Sequence, residues 1–272
     1  MAINKKLIHF KNKTDFNKEV ANENILDHSI VFIQDSKEIS THGTVYKSVN
    51  WSVLEDLEIP GGITINTEGK SNGVYAITAK GELITYNDAA VDATCLGVAL
   101  ITDNQKIMIE KNDGKHVDGY SAGFVWGSYI YGIDVEDIRN TTNESDAKTD
   151  FNGKANTMAI YATYSEDVVM DNSIDMCYVL STFNEMDENE DISFNDWYIP
   201  AFGQLWEIYT NKETINEVLS KINGTELTNS YLSSSEYDAS YAWIINVSGS
   251  VEYIDKDNYY YGCKVRFVRD IN

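Results

Sequence analysis

Four histidines, three cysteines and a surplus of carboxylates are the groups here whose chemistry suits catalysis or metal binding. The histidines (His9, His28, His42 and His116) all precede residue 117, so none can join the serine-rich C-terminal third in a local Ser–His–acid arrangement. His42, between Thr41 and Gly43, reads as a hydrogen-bonded turn residue rather than a ligand. Cys95, Cys177 and Cys263 are widely spaced, odd in number and without a CxxC pair, which argues against a disulfide framework or a zinc site. Cys263 lies in an alternating apolar segment, where an inert buried thiol is expected instead of a nucleophile. Among the 43 Asp and Glu residues, two groups could offer oxygen ligands to calcium. One is Asp146, Asp150 and Asn152 ahead of Gly153; the other is Asp187, Glu188 and Asp191. Neither has the spacing of a calcium loop, so solvated acidic loops are expected, with no metal, no cofactor and no enzymatic activity.

Recognition is the chemistry that the composition favours. The chain holds 18 tyrosines, and between Trp197 and Arg269 they stand with Ser, Asn and Asp in what read as connections. Tyrosine gives rigid contact area at low entropic cost, and small polar residues adapt around it, as in a paratope. The formal net charge of -22 excludes nucleic acid and anionic membrane as natural partners. The first 20 residues run against this trend, with five lysines against Asp15 and Glu19, which reads as a solvated terminus or as an arm suited to an acidic partner. No apolar run reaches membrane-spanning length and MAINKKLIHF lacks the core of an export signal, so a soluble product made in a cytoplasm is expected.

The elements that must position these residues follow from periodicity. Residues 30–33 (IVFI) form a buried strand, and Asp35-Ser36-Lys37 a turn. VYAIT pairs with ELITY across Ala79-Lys80-Gly81, and CLGVALI with KIMIE across Thr102 to Gln105. Phe124 to Trp126 is a short apolar strand and residues 140–154 a polar loop. ANTMAIYATYSED has helical spacing, with Met158, Tyr161 and Ala162 on one face. Pro200 starts a helix carrying Leu205, Ile208 and Tyr209. A second helix carries Ile215, Val218, Leu219 and Ile222, with Thr210 and Glu213 at capping-box spacing and Asn223-Gly224 as its stop. Then Ala242 to Asn246 alternates, Ser248-Gly249 turns, and Val251 and Tyr253 return. Cys263, Val265 and Phe267 close the chain as a last strand, with Trp206 and Trp243 in the core. Helices followed by an antiparallel meander give an α+β fold.

Two stretches resemble known families. LIHFKNKTDFNKEV with SIVFIQDSKEISTHGTVY resembles the N-terminal module of fibre and tail proteins of phages from gut bacteria. DFNGKANT, DWYIPAFGQLWEIY, YLSSSEYDASYAW and VRFVRDI, in that order, resemble the C-type-lectin fold of bacterial and phage surface domains. That family includes phage tropism determinants and the variable proteins of diversity-generating retroelements. Its pattern runs WYLPS and EL, a YWSSTEY-like turn, an AW strand and a VRPVR-like closing strand. This chain departs from it at Leu232, where Trp is usual, and at Phe202-Gly203-Gln204, where a small residue and an acid open the helix. The calcium tripeptides of animal lectins are missing, which places the resemblance in the calcium-independent branch.

The resemblance implies an attachment module over residues 1–58, a small β domain over 59–119 and a C-type-lectin-like domain over 120–272. It implies a ligand surface formed by Tyr231, Ser233, Glu236, Tyr237, Asp238, Ser240 and Tyr241 together with Asn258, Tyr259 and Tyr260. The expected protein is a phage head or tail fibre or decoration protein, homotrimeric in the virion. Its N-terminal module would hold other capsid or tail proteins and its far end a host surface protein or glycan. A purely structural decoration, or a cellular glycan-binding adhesin, is the alternative.

Overall fold

The computed structural model describes four strands before residue 47, then residues 64–115, 123–127, 134–167, 196–246, 248–257 and 262–271, with Met176 and Leu180. The chain forms two compact units, Met1–Pro60 and Gly61–Asn272. The first unit contains a four-stranded sheet of β1 (Leu7–Phe10), β2 (Ile30–Ile33), β3 (Glu38–Thr41) and β4 (Thr44–Tyr46), in that order. β1 and β2 run parallel and the other pairs antiparallel. His42 lies outside the described residues.

The second unit has two antiparallel sheets. β5 (Gly73–Ile77), β6 (Leu83–Thr85), β7 (Gly97–Ile101) and β8 (Lys106–Ile109) form the first, in the order β8-β7-β5-β6. β5 and β6 pair as Tyr75 with Thr85 and Ile77 with Leu83, the hairpin that the turn signal at Ala79-Lys80-Gly81 predicts. The outer neighbour of β8 is a strand from the chain's far end, which brings Val268, Arg269 and Asp270 opposite Ile109, Met108 and Ile107. One sheet therefore takes strands from both sides of position 119/120. The second sheet is formed by β9 (Tyr231–Glu236), β10 (Tyr241–Ile245) and β11 (Val251–Asp255), with β10 central. A single bridge joins Tyr198 to Val268, and another ties Tyr231 of the second sheet to Lys264 of the closing segment.

The first sheet is covered on both faces, which is why β7 is buried at every position and does not alternate with polar residues. One cluster takes Val74, Ala76, Val98, Leu100, Ile107 and Ile109, with Trp243 and Ile245 from the second sheet. The other takes Tyr75, Ile77, Ala99, Met108, Ala242 and Ile244, with Phe124, Trp126, Val265 and Phe267. Cys263 belongs to this second cluster, and burial pushes its thiol up to about 11. Of the expected closing strand only Val268–Asp270, β12, is regular, yet its core residues are those the alternation indicates.

Four helices are described in this unit: α1 (Glu144–Ala147), α2 (Gly153–Asp167), α3 (Phe202–Thr210) and α4 (Lys212–Lys221). α1 lies within the expected polar loop. The Asn143 side chain accepts from the amides of Ser145 and Asp146 and so starts it. α3 begins two residues after Pro200, so the proline is not its first helical residue. The amides at its start are satisfied by tertiary contacts: Ala201 N donates to Gln204 Oε1 (3.0 Å), Phe202 N to Ser235 Oγ (2.8 Å) and Gly203 N to Asp150 O (2.9 Å). A Cβ on Gly203 would stand 2.5 Å from that Asp150 carbonyl, so the glycine lets the chain pass close to the helix start. The helix opening that departs from the lectin pattern is thus a cap of a different kind. Ile215, Val218, Leu219 and Ile222 of α4 are buried as the spacing predicts. Its expected Thr210–Glu213 capping box does not form; Asn211 occupies the N-cap without a side-chain capping bond, and both Asn211 Nδ2 and Thr210 Oγ1 donate to Glu207 O instead.

α2 presents the reverse of the expected face. Met158 is 64% exposed and Tyr161 42%, whereas Asn156, Thr157 and Ile160 are buried. Thr157 Oγ1 accepts from Ile199 N (3.0 Å) and donates to Gly153 O (2.7 Å), and Asn156 Nδ2 donates to Asp150 Oδ2 (2.9 Å). These polar bonds, which periodicity does not weigh, orient the helix.

Candidate attachment surface

The expected ligand residues separate into two groups along one strand. Every residue of β9 from Tyr231 to Glu236 is buried, so the stretch read as a displayed turn is an inner strand of the scaffold. Its hydroxyls are consumed internally: Ser233 Oγ donates to Trp243 O (2.8 Å), Ser234 Oγ to Ile199 O (2.9 Å) and Ser235 Oγ to Asp150 Oδ2 (2.5 Å). Ser235 thus caps α3 and anchors the turn after α1 with one oxygen. The S235A variant is expected to lose about 1–2 kcal/mol in urea denaturation, the cost of a lost cap and an orphaned amide. Unchanged stability would refute that role.

Tyr231 is 3% exposed and donates its hydroxyl to Asp113 Oδ1 (2.9 Å); burial pushes this phenol up to about 12. Glu236 is wholly buried against Lys256, also wholly buried, at 2.5 Å. Glu236 Oε1 also accepts the Val135 amide (3.0 Å), and Lys256 Nζ donates to Ala239 O (3.0 Å) while lying 4.7 Å from the Trp126 ring centre. Burial holds the Glu236 carboxyl above its usual range and the Lys256 ammonium below its own, against the pull of their mutual contact. Tyr231, Ser233 and Glu236 are therefore scaffold and not ligand-facing, a correction to the expected surface.

The chain reaches solvent at Tyr237. Asp238 Oδ1 accepts from the amides of Ser240 (2.8 Å) and Tyr241 (2.9 Å), which fixes the turn between β9 and β10. Ser240 is exposed at its tip. Tyr237 stacks on Tyr253 with ring centres 4.1 Å apart and planes 22° from parallel. Tyr241 stands edge-on to Tyr253 at 5.3 Å and to Tyr237 at 6.3 Å, and the buried Trp243 supports Tyr237 from below at 4.9 Å. Tyr253 is 50% exposed. Asp255, opposite Tyr241 in the register, raises that phenol's pKa through its charge and a hydrogen bond, with Asp238 adding to the effect. The result is a continuous aromatic surface flanked by two carboxylates, with the buried Trp243 beneath it.

Tyr253 is the member that sequence reasoning omitted. The signal was present: a turn at Ser248-Gly249 pairs Trp243 with Tyr253, and alternation then puts Tyr241, Trp243, Tyr253 and Asp255 on one face. Asn258, Tyr259 and Tyr260 lie outside the described residues.

Of the acidic residues weighed as calcium ligands, Asp187, Glu188 and Asp191 lie outside the described residues, and Asp146 and Asp150 have partners within the fold. Asp150 holds Asn156 and Ser235, and Asp146 pairs with Arg139 at 3.3 Å. Among the described residues no group of three or more His, Cys, Asp or Glu side chains is arranged to hold a metal, and no helix is long and apolar enough to cross a membrane.

No protein-family model matches the chain, and no curated protein matches it significantly. Among solved structures it is similar to a fimbrial protein from Bacteroides ovatus, at 17% identity and a TM-score of 0.46, over 73% of this chain and 48% of that one. The chain thus spans about half the length of that protein. From its own helices and antiparallel sheets, the second unit is an α+β domain.

Proposed function

We propose that the chain is a non-enzymatic phage virion protein, a head or tail fibre or decoration protein, whose second unit has the C-type-lectin-like fold and attaches to the host surface. The observation that carries attachment is the Tyr237–Tyr241–Tyr253 surface, three aromatic rings at solvent on a sheet whose other side is core. Rigid, amphipathic rings of this kind bind with little entropic loss. The virion setting is supported by the resemblance of residues 5–50 to phage fibre modules. In this reading the first unit engages other capsid or tail proteins, and the protein assembles as a homotrimer.

The test is the double variant Y241A/Y253A in the full chain. It is expected to lose attachment to host cells at least tenfold, because interface tyrosines of this kind contribute about 2 kcal/mol or more. Both side chains are partly exposed, so the melting temperature should fall by only a few degrees. Undiminished attachment by a folded double variant refutes this surface.

A further inference from the structure

Resting on that reading of the patch, we infer that its ligand is a saccharide bearing protonated amines, held by the tyrosine faces and by the carboxylates of Asp238 and Asp255. The occupant follows from charge complementarity. An aromatic ring is negative over its face and positive at its edge, so three clustered tyrosines attract cations and the polarised C–H bonds of a sugar ring. Asp255 lies directly opposite Tyr241 in the β10–β11 register, on the face that carries Tyr253. Asp238 is fixed at the adjoining turn by two backbone amides that both use Oδ1. The Asp238 carboxylate is thus held by backbone, and the strand register places Asp255 beside the rings. Their combined field is felt at the Tyr241 phenol, which both shift in the same direction.

An anionic saccharide would meet like charge at this rim and across a chain of net charge -22. A neutral saccharide would use the rings and donate hydroxyls to the carboxylates, but would leave their negative charge without a counter-charge. A protonated amino sugar uses both: its ring lies on the Tyr253 face, half open to solvent, and its ammonium reaches the flanking acids. A lysine-rich protein segment shares the charge but not the flat ring.

The measurement is calorimetric titration of the full chain with three probes at mildly acidic pH: a chitosan tetramer carrying free amines, the same tetramer N-acetylated, and tetralysine. The amine tetramer is expected to bind roughly tenfold more tightly than either of the others, as expected for a modest cation–π contact joined to an exposed ion pair. D255N should remove most of that preference while leaving the weak acetylated binding unchanged, and added salt should do the same. Equal affinity for the acetylated tetramer overturns the requirement for an amine. Equal affinity for tetralysine overturns the saccharide. If no probe binds while Y241A/Y253A still abolishes cell attachment, this ligand class is wrong and the attachment surface stands. If attachment survives that double variant, both fall together.

Discussion

K256M is expected to destabilise the second unit by about 3–5 kcal/mol, because it leaves the carboxylate of Glu236 buried without its counter-charge. Both side chains are at 0% exposure, so water cannot replace the lost ammonium. E236Q/K256M should recover most of this loss: the amide removes the charge, and its oxygen can still accept from the Val135 amide. The pH dependence has a definite sign. Burial already holds the Glu236 carboxyl above its ordinary 4.5, and loss of Lys256 raises it further. A group whose folded pKa exceeds its unfolded one binds more protons when folded, so stability falls as pH rises through the interval between them. The K256M deficit should accordingly be larger in urea melts at about pH 8 than at about pH 5, where the carboxyl protonates more readily. A deficit below about 1 kcal/mol, or one independent of pH, would mean that the pair is hydrated and not buried.

Arg266 should be comparably sensitive. Its guanidinium is wholly buried, with Nη1 donating to Glu110 O (2.9 Å), Nη2 to Thr225 O (2.7 Å), and Nη2 2.6 Å from Asp113 Oδ1. Asp113 also accepts the Tyr231 hydroxyl, so one arginine gathers β8, the segment after α4 and the start of β9. R266L removes the charge and strands two carbonyls and a carboxylate, with an expected loss of about 3–5 kcal/mol. R266K retains the charge but not the planar fork, and one ammonium cannot reproduce all three contacts; a loss of about 2 kcal/mol is expected. Full stability in R266K would show that charge alone matters there. Chemical denaturation of both variants under identical conditions separates the outcomes.

What the sequence made legible is what short-range pattern controls. β5 to β8, the apolar stripe of α4 and the Trp243–Tyr253 hairpin follow from alternation, 3.6-residue spacing and turn residues within a few positions of one another. Where distant groups decide, the reading failed. Three consecutive serines suggest a turn, because serine competes locally for backbone bonds; here Ser234 and Ser235 bond the remote Ile199 and Asp150, Ser233 bonds Trp243 on the neighbouring strand, and the segment runs as a buried strand. Met158 and Tyr161 suggested the inner face of α2, but Thr157 and Asn156, bonded to Ile199 and Asp150, turn that face outward. Of the candidate site, Tyr237, Asp238, Ser240 and Tyr241 sit in the loop and strand start that motif order pointed to. Tyr231, Ser233 and Glu236 carry the same residue types inside the scaffold, and type alone does not distinguish display from burial.

The pairing of β12 with β8 joins Val268 to Ile109 across most of the second unit's length. Contacts so far apart in sequence cost loop entropy before they contribute stability, which slows folding. On a ribosome, the β8 edge and the apolar side chains beside it stay uncovered until residues 268–270 have been made. Until then the unit is a strand short, and it is exposed to edge-to-edge association with other nascent copies.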